Sequence, residues 1–574
     1  MEHDQLYGFS PPLAAVMRKK GIDLKLTRQI LDRFNAGEYD RFQPVKATGI
    51  PRIDGERILD LTSPVLCKVE LAQAQTRLQQ WGFCYDLREF CRVEGKIGVF
   101  DEPALRHLGI LLYPFVGYGI LNGGSASSFF DLKRNKAFSP HLFALYEAEF
   151  SALAQTWRNR AKGLVPAYLN EDGTPGASFL ELKMRSLLIE SLRYQQLTGT
   201  KPEKLLPLFQ MTSIYTHQEL EEAYRLLRQS PYLHDLIIET GVEVTNPLTG
   251  VQPMLAAYTH SSYGRPKAVF TQAYGEENNP LPMPGGHGQN FAILRACYEE
   301  LLAQGIRLVY LGNVDNLGYT VNPVTIALLA LQGKEAGFEF AFRTVVDTKG
   351  GILVVDQHNR LNCADLGVAI SPDEVAKVEE KGERILFNCA TGLFNLEYLV
   401  TNLDRIIDNL PVRFSDQDKD AGRYSQAEQV TWEIIGMLND FYIFGIDKYD
   451  RFLAAKLIME TLMASGLKLD DPRFPEEMDP EKDLKYTATK LHKGLQQKLS
   501  TVYGLKKVDG VWRPKPVAEL KDEMQKDLSF PLFFSRYYIM FYPIPEQKLK
   551  KQPPIKRVVV LVSTGERGGT YAVR

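Results

Sequence analysis

A strongly apolar run that ends in a carboxylate between two amides limits the folds open to this chain. Residues 305–311 read Gly-Ile-Arg-Leu-Val-Tyr-Leu, and Gly312-Asn313-Val314-Asp315-Asn316 follows. A run this rich in apolar residues predicts a buried strand of a parallel sheet, and such sheets bind ligands at the carboxyl ends of their strands. The sequence therefore places Asp315 at the edge of a sheet where ligands bind.

The side chains at this strand end suit a hard cation. Mg²⁺ prefers oxygen ligands and keeps water and phosphate oxygens around it, so Asp315 with the amides of Asn313 and Asn316 predicts a magnesium site. Asn, Asp and Gly also dominate ordinary turns, and a polar turn explains the same residues. On this segment alone we favour the polar turn.

Length and charge narrow the class of protein. A chain of 574 residues is expected to form two to four domains of about 100 to 200 residues each. Lys and Arg number 68 against 70 Asp and Glu, so no overall positive charge attracts nucleic acid or anionic lipid. The six cysteines lack CxxC spacing, which argues against a structural zinc site and a disulfide framework. No stretch is typical of a signal peptide or a membrane span, so we expect a cytoplasmic protein without membrane or nucleic-acid partners.

Recurring strand, turn and helix patterns predict an α/β sheet with crossover helices. We expect a mainly helical N-terminal region over residues 1–105 and a sheet domain over 106–465. Apolar residues at helical spacing after residue 141 indicate a helical insertion into that domain, at about 141–250. Residues 466–574 are expected to form a smaller C-terminal α/β domain.

A glycine-rich loop follows an earlier apolar run. The run ends at Leu121 and leads into Asn122-Gly123-Gly124-Ser125-Ala126. Small side chains let backbone N–H groups approach phosphate oxygens, and Lys133 and Lys136 lie close by in the sequence. An ordinary strand-to-helix turn has the same composition, so the loop alone does not decide the function.

Two further turns contain side chains that suit an anionic ligand. Pro284-Gly285-Gly286-His287-Gly288 opens a helix, and its imidazole suits a substrate phosphate or a sugar hydroxyl. A turn histidine bonded to backbone is the alternative. Lys349 precedes two glycines and could serve an anionic ligand, although a hairpin turn explains it equally well.

In their order along the chain, these segments resemble the UTP:glucose-1-phosphate uridylyltransferase (UDP-glucose pyrophosphorylase) family, which includes UDP-N-acetylhexosamine pyrophosphorylases. The resemblance covers about residues 109–139 and 252–460. It implies an α/β fold whose core is a Rossmann-like, GT-A-like mixed sheet. The matching segments are Leu121-Asn122-Gly123-Gly124, Phe270-Thr271-Gln272, Pro284-Gly285-Gly286-His287-Gly288, Asn313-Val314-Asp315-Asn316-Leu317-Gly318, Lys349-Gly350-Gly351, Phe387-Asn388 and Arg451-Phe452-Leu453-Ala454-Ala455-Lys456.

The resemblance implies a uridylyltransferase that forms a UDP-sugar, foremost UDP-glucose, and pyrophosphate from UTP and a sugar 1-phosphate with Mg²⁺. It assigns the metal to Asp315. The nucleotide contacts that it implies are Asn122, Gly123, Gly124, Gln272 and Gly286, the sugar-phosphate contacts are His287, Asn313 and Asn388, and the catalytic lysines are Lys136, Lys349 and Lys456.

The chain departs from the family pattern at the lysine of the glycine loop. Residue-for-residue alignment puts Asn135 at that position, so Lys136 fits after a shift of one residue and Lys133 competes with it. Two other functions stay open. The acceptor could be an N-acetylhexosamine 1-phosphate, although Gly-His-Gly at 286–288 argues against that branch, which resembles Gly-Asn-Gly there. Alternatively, the altered loop at 125–135 belongs to a non-catalytic protein that binds nucleotide sugars.

Overall fold

The computed structural model describes residues 6–202, 204–344, 347, 350–478 and 483–528, in which helices and strands alternate. The strands are β1 Ala47–Gly49, β2 Ile58–Asp60, β3 Cys67–Glu70, β4 Arg92–Glu94, β5 Ile97–Phe100, β6 Val116–Leu121, β7 Leu208–Ser213, β8 Leu248–Gln252, β9 Met254–Ala256, β10 Tyr258–Thr259, β11 Pro282–Pro284, β12 Leu308–Asn313, β13 Ala336–Phe342, β14 Gly351–Asp356, β15 Leu361–Asp365, β16 Leu386–Asn395, β17 Arg413–Lys419, β18 Gly422–Glu428, β19 Phe441–Ile446, β20 Leu505–Val508 and β21 Val511–Pro514.

The α-helices alternate with these strands along the chain. They are α1 Pro11–Lys19, α2 Leu24–Asn35, α3 Leu71–Trp81, α4 Glu102–Leu111, α5 Leu132–Phe138, α6 Pro140–Trp157, α7 Phe179–Thr198, α8 His217–Leu227, α9 His234–Thr240, α10 Asn290–Ile293, α11 Arg295–Ala303, α12 Pro323–Gln332, α13 Pro372–Glu379, α14 Leu396–Asn409, α15 Lys448–Arg451, α16 Ile458–Ser465, α17 Leu484–Thr501 and α18 Val517–Leu528. No helix in the described part of the chain is long and apolar enough to cross a membrane.

A mixed sheet of eleven strands lies at the centre of the described structure. Its main path is β2-β19-β13-β16-β12-β6-β7-β8, and β14 joins it beside β16 together with β1 and β15. The four strands β12, β6, β7 and β8 are parallel to one another. β16 is antiparallel to both of its neighbours on the main path, β12 and β13. The predicted α/β class with a mixed sheet is confirmed.

Apolar side chains cover both faces of this sheet. In β12, Leu308 and Tyr310 belong to the core that includes residues of α4, α7 and α12. Val309 and Leu311 belong to the second core, with residues of α11 and α14. A strand between two helical layers has no polar face, which is why the sequence of β12 is continuously apolar.

The segment predicted as a helical insertion also contributes to the sheet. It contains α6 to α9, but Leu208–Ser213 and Leu248–Gln252 form β7 and β8, the parallel strands at one edge of the central sheet. All six residues of β7 are buried although three of them are polar. One of these, Gln210, accepts a hydrogen bond from the Tyr224 hydroxyl over 2.9 Å. The segment is therefore helical only in part, because tertiary contacts satisfy polar groups that conceal the strand pattern.

The described parts of the two ends pack on the central sheet. The N-terminal region contains α1 to α3 but also β1 to β5, of which β1 and β2 join the central sheet. Near the C-terminus, Leu499 and Tyr503 belong to the core that contains α7. Arg185 of α7 donates to the carbonyl oxygens of Tyr503, over 2.5 Å, and of Gly504, over 2.9 Å. The domain boundaries at 105 and 465 stay a prediction.

Helix α4 crosses α12 at a glycine, which gives a test of this packing. A Cβ on Gly109 would lie 1.9 Å from the carbonyl oxygen of Pro323, so Gly109→Ala must push two helix backbones apart. We expect it to lower the free energy of unfolding by about 1–3 kcal/mol, the usual effect of overpacking. Urea unfolding followed by circular dichroism measures the change. The control is Gly49→Ala, where a Cβ meets nothing within 4 Å. Equal stability of the two variants would show that this contact does not limit the packing.

Candidate functional site

Loops that follow β6, β7, β8 and β12 surround a cavity of about 420 Å³. These four strands are parallel neighbours, so the loops at their carboxyl ends meet at one edge of the sheet. Several residues that the sequence analysis assigned to a site line this cavity. They are Gly123, Gly124, Gly286, His287, Asn313 and Asp315.

The Gly-Gly turn forms part of the cavity wall directly after β6. A Cβ on Gly124 would meet nothing within 4 Å, so the backbone there borders open space. Ser213 Oγ holds the turn from behind by donating to the carbonyl oxygen of Gly123 over 2.7 Å. Asn122 is buried, with its Nδ2 3.2 Å from Gln210 Oε1. Its side chain therefore supports the turn and does not line the cavity.

A lysine that the sequence analysis did not assign lies beside this turn. The chain leaves the turn at Ser125, forms α5 and α6, and returns at Ala161, which makes an isolated antiparallel bridge with Ser125. The N–H of the next residue, Lys162, donates to the carbonyl oxygen of Gly124 over 3.0 Å. Lys162 lines the cavity, and its Nζ pairs with Asp315 Oδ2.

The lysines predicted near the turn lie elsewhere. Lys133 and Lys136 are exposed on α5, and Lys136 Nζ lies 5.3 Å from the ring centre of Phe143. Asn135, at the lysine position of the alignment, is fully buried and donates through Nδ2 to the carbonyl oxygen of Phe129 over 3.0 Å. These three side chains do not line the cavity.

Asp315 is the buried carboxylate of the site, with 5% of its surface exposed. Burial raises the pKa of Asp315, but the ammonium groups of Lys162 and Lys456 outweigh burial and lower it to about 2. Lys456 Nζ lies 3.8 Å from Oδ2, the oxygen that also pairs with Lys162. Asp315 is therefore ionised at neutral pH.

The other oxygen of this carboxylate fits a hard cation. Asp315 Oδ1 is buried, and no described residue gives it a hydrogen bond. Because buried polar atoms usually have partners, this orphaned oxygen favours a ligand at its position. Within the described residues no three His, Cys, Asp or Glu side chains are grouped to hold a metal ion. Phosphate oxygens and water would have to complete the shell of a bound Mg²⁺.

Lys456 approaches Asp315 from the segment that precedes α16. Its N–H donates to Glu460 Oε2 over 2.6 Å, at the N-terminal turn of that helix. An isolated bridge between Ala454 and Asn316 holds the chain before it. The Lys456 side chain is 57% exposed, so its ammonium is open to solvent beside Asp315.

The turn that carries His287 is held by a neighbouring segment. Gly288 N–H donates to the carbonyl oxygen of Gln429 over 2.8 Å, and Gln429 N–H donates to that of Gly285 over 3.0 Å. Gly286 has a φ of +81°, and a Cβ there would lie 2.3 Å from the Gln429 carbonyl oxygen. This position requires glycine on both counts.

The imidazole of His287 is neutral, with a defined tautomer. Nδ1 accepts a hydrogen bond from Thr431 N–H over 3.1 Å, so the ring proton is assigned to Nε2. Burial, and then the nearby Lys456 ammonium, lower the pKa of His287 to about 4. His287 therefore offers an N–H donor and no charge at neutral pH.

The cavity contains a glutamine other than the predicted one. Gln272 does not line the cavity and makes an isolated bridge with Asn279. Gln252 ends β8 and lines the cavity. Its Nε2 donates to the carbonyl oxygen of Gly286 and to Gln289 Oε1, each over 2.8 Å, which leaves its own Oε1 as an acceptor. The position of Gln252 at the end of a parallel strand would have indicated a site residue, but β8 could not be recognised from its sequence.

The remaining predicted residues divide into three cases. Asn313 lines the cavity at the end of β12. Asn388 lies where the pairing of β13 with β16 is irregular, does not line the cavity, and accepts through Oδ1 from Ala390 N–H over 2.9 Å. Lys349 falls outside the described residues. The roles of these residues stay predictions.

Comparison with solved structures finds low identities throughout. A mutant UDP-glucose pyrophosphorylase from Leishmania major is 15% identical, with 79% of each chain covered and a TM-score of 0.47. UDP-glucose phosphorylase from Trypanosoma brucei is 18% identical, with a TM-score of 0.43. The match covers 61% of this chain and 65% of that chain. A candidate UDP-N-acetylglucosamine pyrophosphorylase from Entamoeba histolytica is 16% identical, with 68% and 92% covered and a TM-score of 0.47. No curated protein sequence matches the chain.

A protein-family comparison is more specific. The family described as UTP--glucose-1-phosphate uridylyltransferase matches residues 254–471. This range contains the turn of His287, the strand end with Asp315, and Lys456. Gly123, Lys162 and Gln252 lie before it and are joined to it through the cavity. Residues 254–471, less than half of the chain, are thus similar to the UTP--glucose-1-phosphate uridylyltransferase family, a family of nucleotidyltransferases.

Proposed function

We propose that the protein is a UDP-sugar pyrophosphorylase that forms UDP-glucose and pyrophosphate from UTP and glucose 1-phosphate. The observation that carries this proposal is the pair of ammonium groups, of Lys162 and Lys456, at the ionised carboxylate of Asp315. Transfer of a nucleotidyl group depends mainly on aligning phosphates and neutralising their charge. The family model that matches residues 254–471 supports the same reaction.

The proposed reaction is an in-line displacement. An oxygen of the sugar phosphate bonds to the α-phosphorus of UTP, the bond from that phosphorus to the oxygen bridging to the β-phosphorus breaks, and pyrophosphate leaves. A phosphate monoester has its second pKa near 6, so the nucleophile is largely dianionic at neutral pH and needs no general base. Lys162 and Lys456 neutralise the phosphates, and Gly123 and Gly124 face them with backbone. Mg²⁺ bound at Asp315 would add positive charge and orient phosphate oxygens.

Lys162 removes the reason for a non-catalytic alternative. That alternative depends on a glycine loop without a lysine at the family position. Lys162 donates from its backbone to Gly124 and reaches Asp315 with its side chain, so a lysine stands beside the loop after all. We therefore assign to Lys162 the role that the family resemblance implies for Lys136.

Gln252 supports uracil as the base. Both hydrogens of its amide are used, so Oε1 is an acceptor at the cavity wall. Uracil presents an N3–H donor between two carbonyl oxygens, whereas cytosine has an acceptor at N3. An acceptor at this place favours UTP, because CTP would leave two acceptors facing each other.

His287 supports a sugar phosphate as the second substrate. The neutral ring donates through Nε2–H, and the Thr431 N–H fixes its tautomer. A donor of this kind suits a phosphate oxygen or a sugar hydroxyl without adding charge. Gly-His-Gly at 286–288 favours glucose over N-acetylhexosamine as the sugar, by the resemblance given above.

The reaction is tested by pyrophosphate release from UTP and Mg²⁺ with a panel of sugar 1-phosphates. We expect release with glucose 1-phosphate and a loss of about 10²-fold or more in kcat for Asp315→Ala, Lys162→Met and Lys456→Ala, because each removes an electrostatic group from the phosphates. Lys136→Met is the matched control for Lys162→Met and should stay within about twofold, as expected for an exposed side chain away from the site.

The outcomes separate the alternatives. Release only with N-acetylhexosamine phosphates would replace the acceptor but keep the reaction. No release with any sugar, from protein that binds UTP, would contradict the enzyme and favour a binding protein. A loss of activity in Lys136→Met with none in Lys162→Met would reverse the assignment of the lysine.

Base selection is tested with Gln252→Ala. This variant removes the acceptor at the cavity wall, so the ratio of kcat/KM for UTP over CTP should fall by about 10-fold or more, the effect of losing one buried hydrogen bond. Steady-state kinetics with both nucleotides measures the ratio. Gln272→Ala is the control and should keep the wild-type ratio. The reverse result would restore Gln272 as the residue that contacts the base.

The neutral state of His287 predicts a pH dependence of stability. The pKa of an unfolded histidine is about 6.5, against about 4 for His287 in the fold. Between these values the unfolded state binds more protons, so the contribution of His287 is complete above pH 6.5 and falls as the pH drops toward 4. Urea unfolding at pH 7, 6 and 5 should therefore show a shrinking difference between wild type and His287→Gln. A difference that stays constant over this range would contradict the lowered pKa.

A further inference from the structure

Lys183 is a buried lysine behind the candidate site. It lies on α7 with its side chain fully buried. Among the described residues no carboxylate forms an ion pair with it, whereas the buried Arg451 has one with Glu339 over 2.5 Å. Burial of an ammonium group is unfavourable unless polar groups compensate. The contacts of Lys183 therefore indicate what the residue does.

Both hydrogen bonds of the Lys183 side chain are with the turn that carries Asp315. Its Nζ donates to the carbonyl oxygen of Asn316 and, over 2.5 Å, to that of Tyr319. The same Nζ lies 4.9 Å from the ring centre of Tyr319. One side chain thus bridges both ends of the segment that follows Asp315.

The residue held by Lys183 also holds the chain that leads to Lys456. Asn316 Oδ1 accepts from Leu453 N–H over 3.0 Å, and Asn316 Nδ2 donates to the carbonyl oxygen of Arg451 over 3.3 Å. The strand end and the lysine segment are therefore joined at Asn316. A displacement of this turn would disturb both Asp315 and Lys456.

We propose that Lys183 is a positioning residue, which fixes residues 313–319 through two carbonyl groups so that Asp315 meets Lys162 and Lys456 at the cavity. The effect on catalysis rests on the proposed function, whereas the effect on the turn does not. Lys183 touches no part of the cavity itself, so it acts through the carboxylate that it positions.

The test compares two buried basic residues of α7. Lys183→Met keeps the length of the side chain and removes its donors. Arg185→Met is the matched control, because Arg185 also donates from α7 to carbonyl groups, but to those of Tyr503, Tyr232 and Gly504, which are not part of the site. Both variants should lose stability, and only Lys183→Met should change the turn and the kinetics.

Two readouts separate positioning from general stability. Hydrogen exchange followed by mass spectrometry should show faster deuterium uptake over residues 313–319 in Lys183→Met and unchanged uptake there in Arg185→Met. In the pyrophosphate assay, Lys183→Met should lower kcat by about 10²-fold with a smaller change in KM for UTP, because misplaced charges act on the transition state more than on nucleotide binding. Folded Lys183→Met with wild-type exchange and wild-type kcat would overturn the proposal. If wild type releases no pyrophosphate, the proposed function fails and the exchange measurement still decides this one.

A second variant covers the case in which Lys183→Met does not fold. The Tyr118 hydroxyl also donates to the carbonyl oxygen of Tyr319, over 2.7 Å. If Lys183 fixes the turn, Tyr118→Phe should leave deuterium uptake over residues 313–319 close to that of the wild type. If deuterium uptake in Tyr118→Phe rises to the level of an unprotected segment, the Tyr118 hydroxyl fixes the turn. That result would overturn the role of Lys183.

Discussion

The ionised carboxylate of Asp315 is the constraint on which the site depends. Burial opposes its charge, and two ammonium groups outweigh burial and bring its pKa to about 2. Each ammonium comes from a different part of the chain, Lys162 from the end of a long excursion and Lys456 from the segment before α16. The fold therefore has to bring three segments to one strand end. The resulting excess of positive charge is what the phosphates of a nucleotide require.

The strand before Asp315 could be predicted because burial on both faces leaves a local pattern in the sequence. The same reasoning fails for β7 and β8, which occupy the edge of the sheet beside β6. The polar residues of β7 are buried with partners from other segments, as Gln210 is with Asn122 and Tyr224. Such partners are invisible to a periodicity argument. This is why the sequence predicts a helical insertion where the structure adds two strands.

Glycine turns of the site were also predictable, since their residue type follows from local geometry. Gly286 combines a positive φ with a backbone contact that no side chain could share. The site lysine, Lys162, was not predictable. Nearness to the glycine turn in sequence favours Lys136, but Lys136 lies on an exposed face of α5, away from the cavity. Lys162 and Gln252 reach the cavity only through contacts made by the whole fold.

The excursion between Gly124 and Lys162 explains how a lysine can lie beside the glycine turn although the loop departs from the family pattern. Its ends meet in a bridge between Ser125 and Ala161, so α5 and α6 can be accommodated while the lysine stays beside the glycine turn. The entropy of closing a loop grows slowly with its length, which makes such a long excursion tolerable. The excursion also contributes contacts, since Asn135 Oδ1 accepts from the N–H of Met459 in α16 over 3.4 Å. A residue-for-residue alignment is least informative where a loop closes on itself. Here the position of the Lys162 ammonium group beside Asp315 is better evidence for its role than the distance of Lys162 from the glycine turn in sequence.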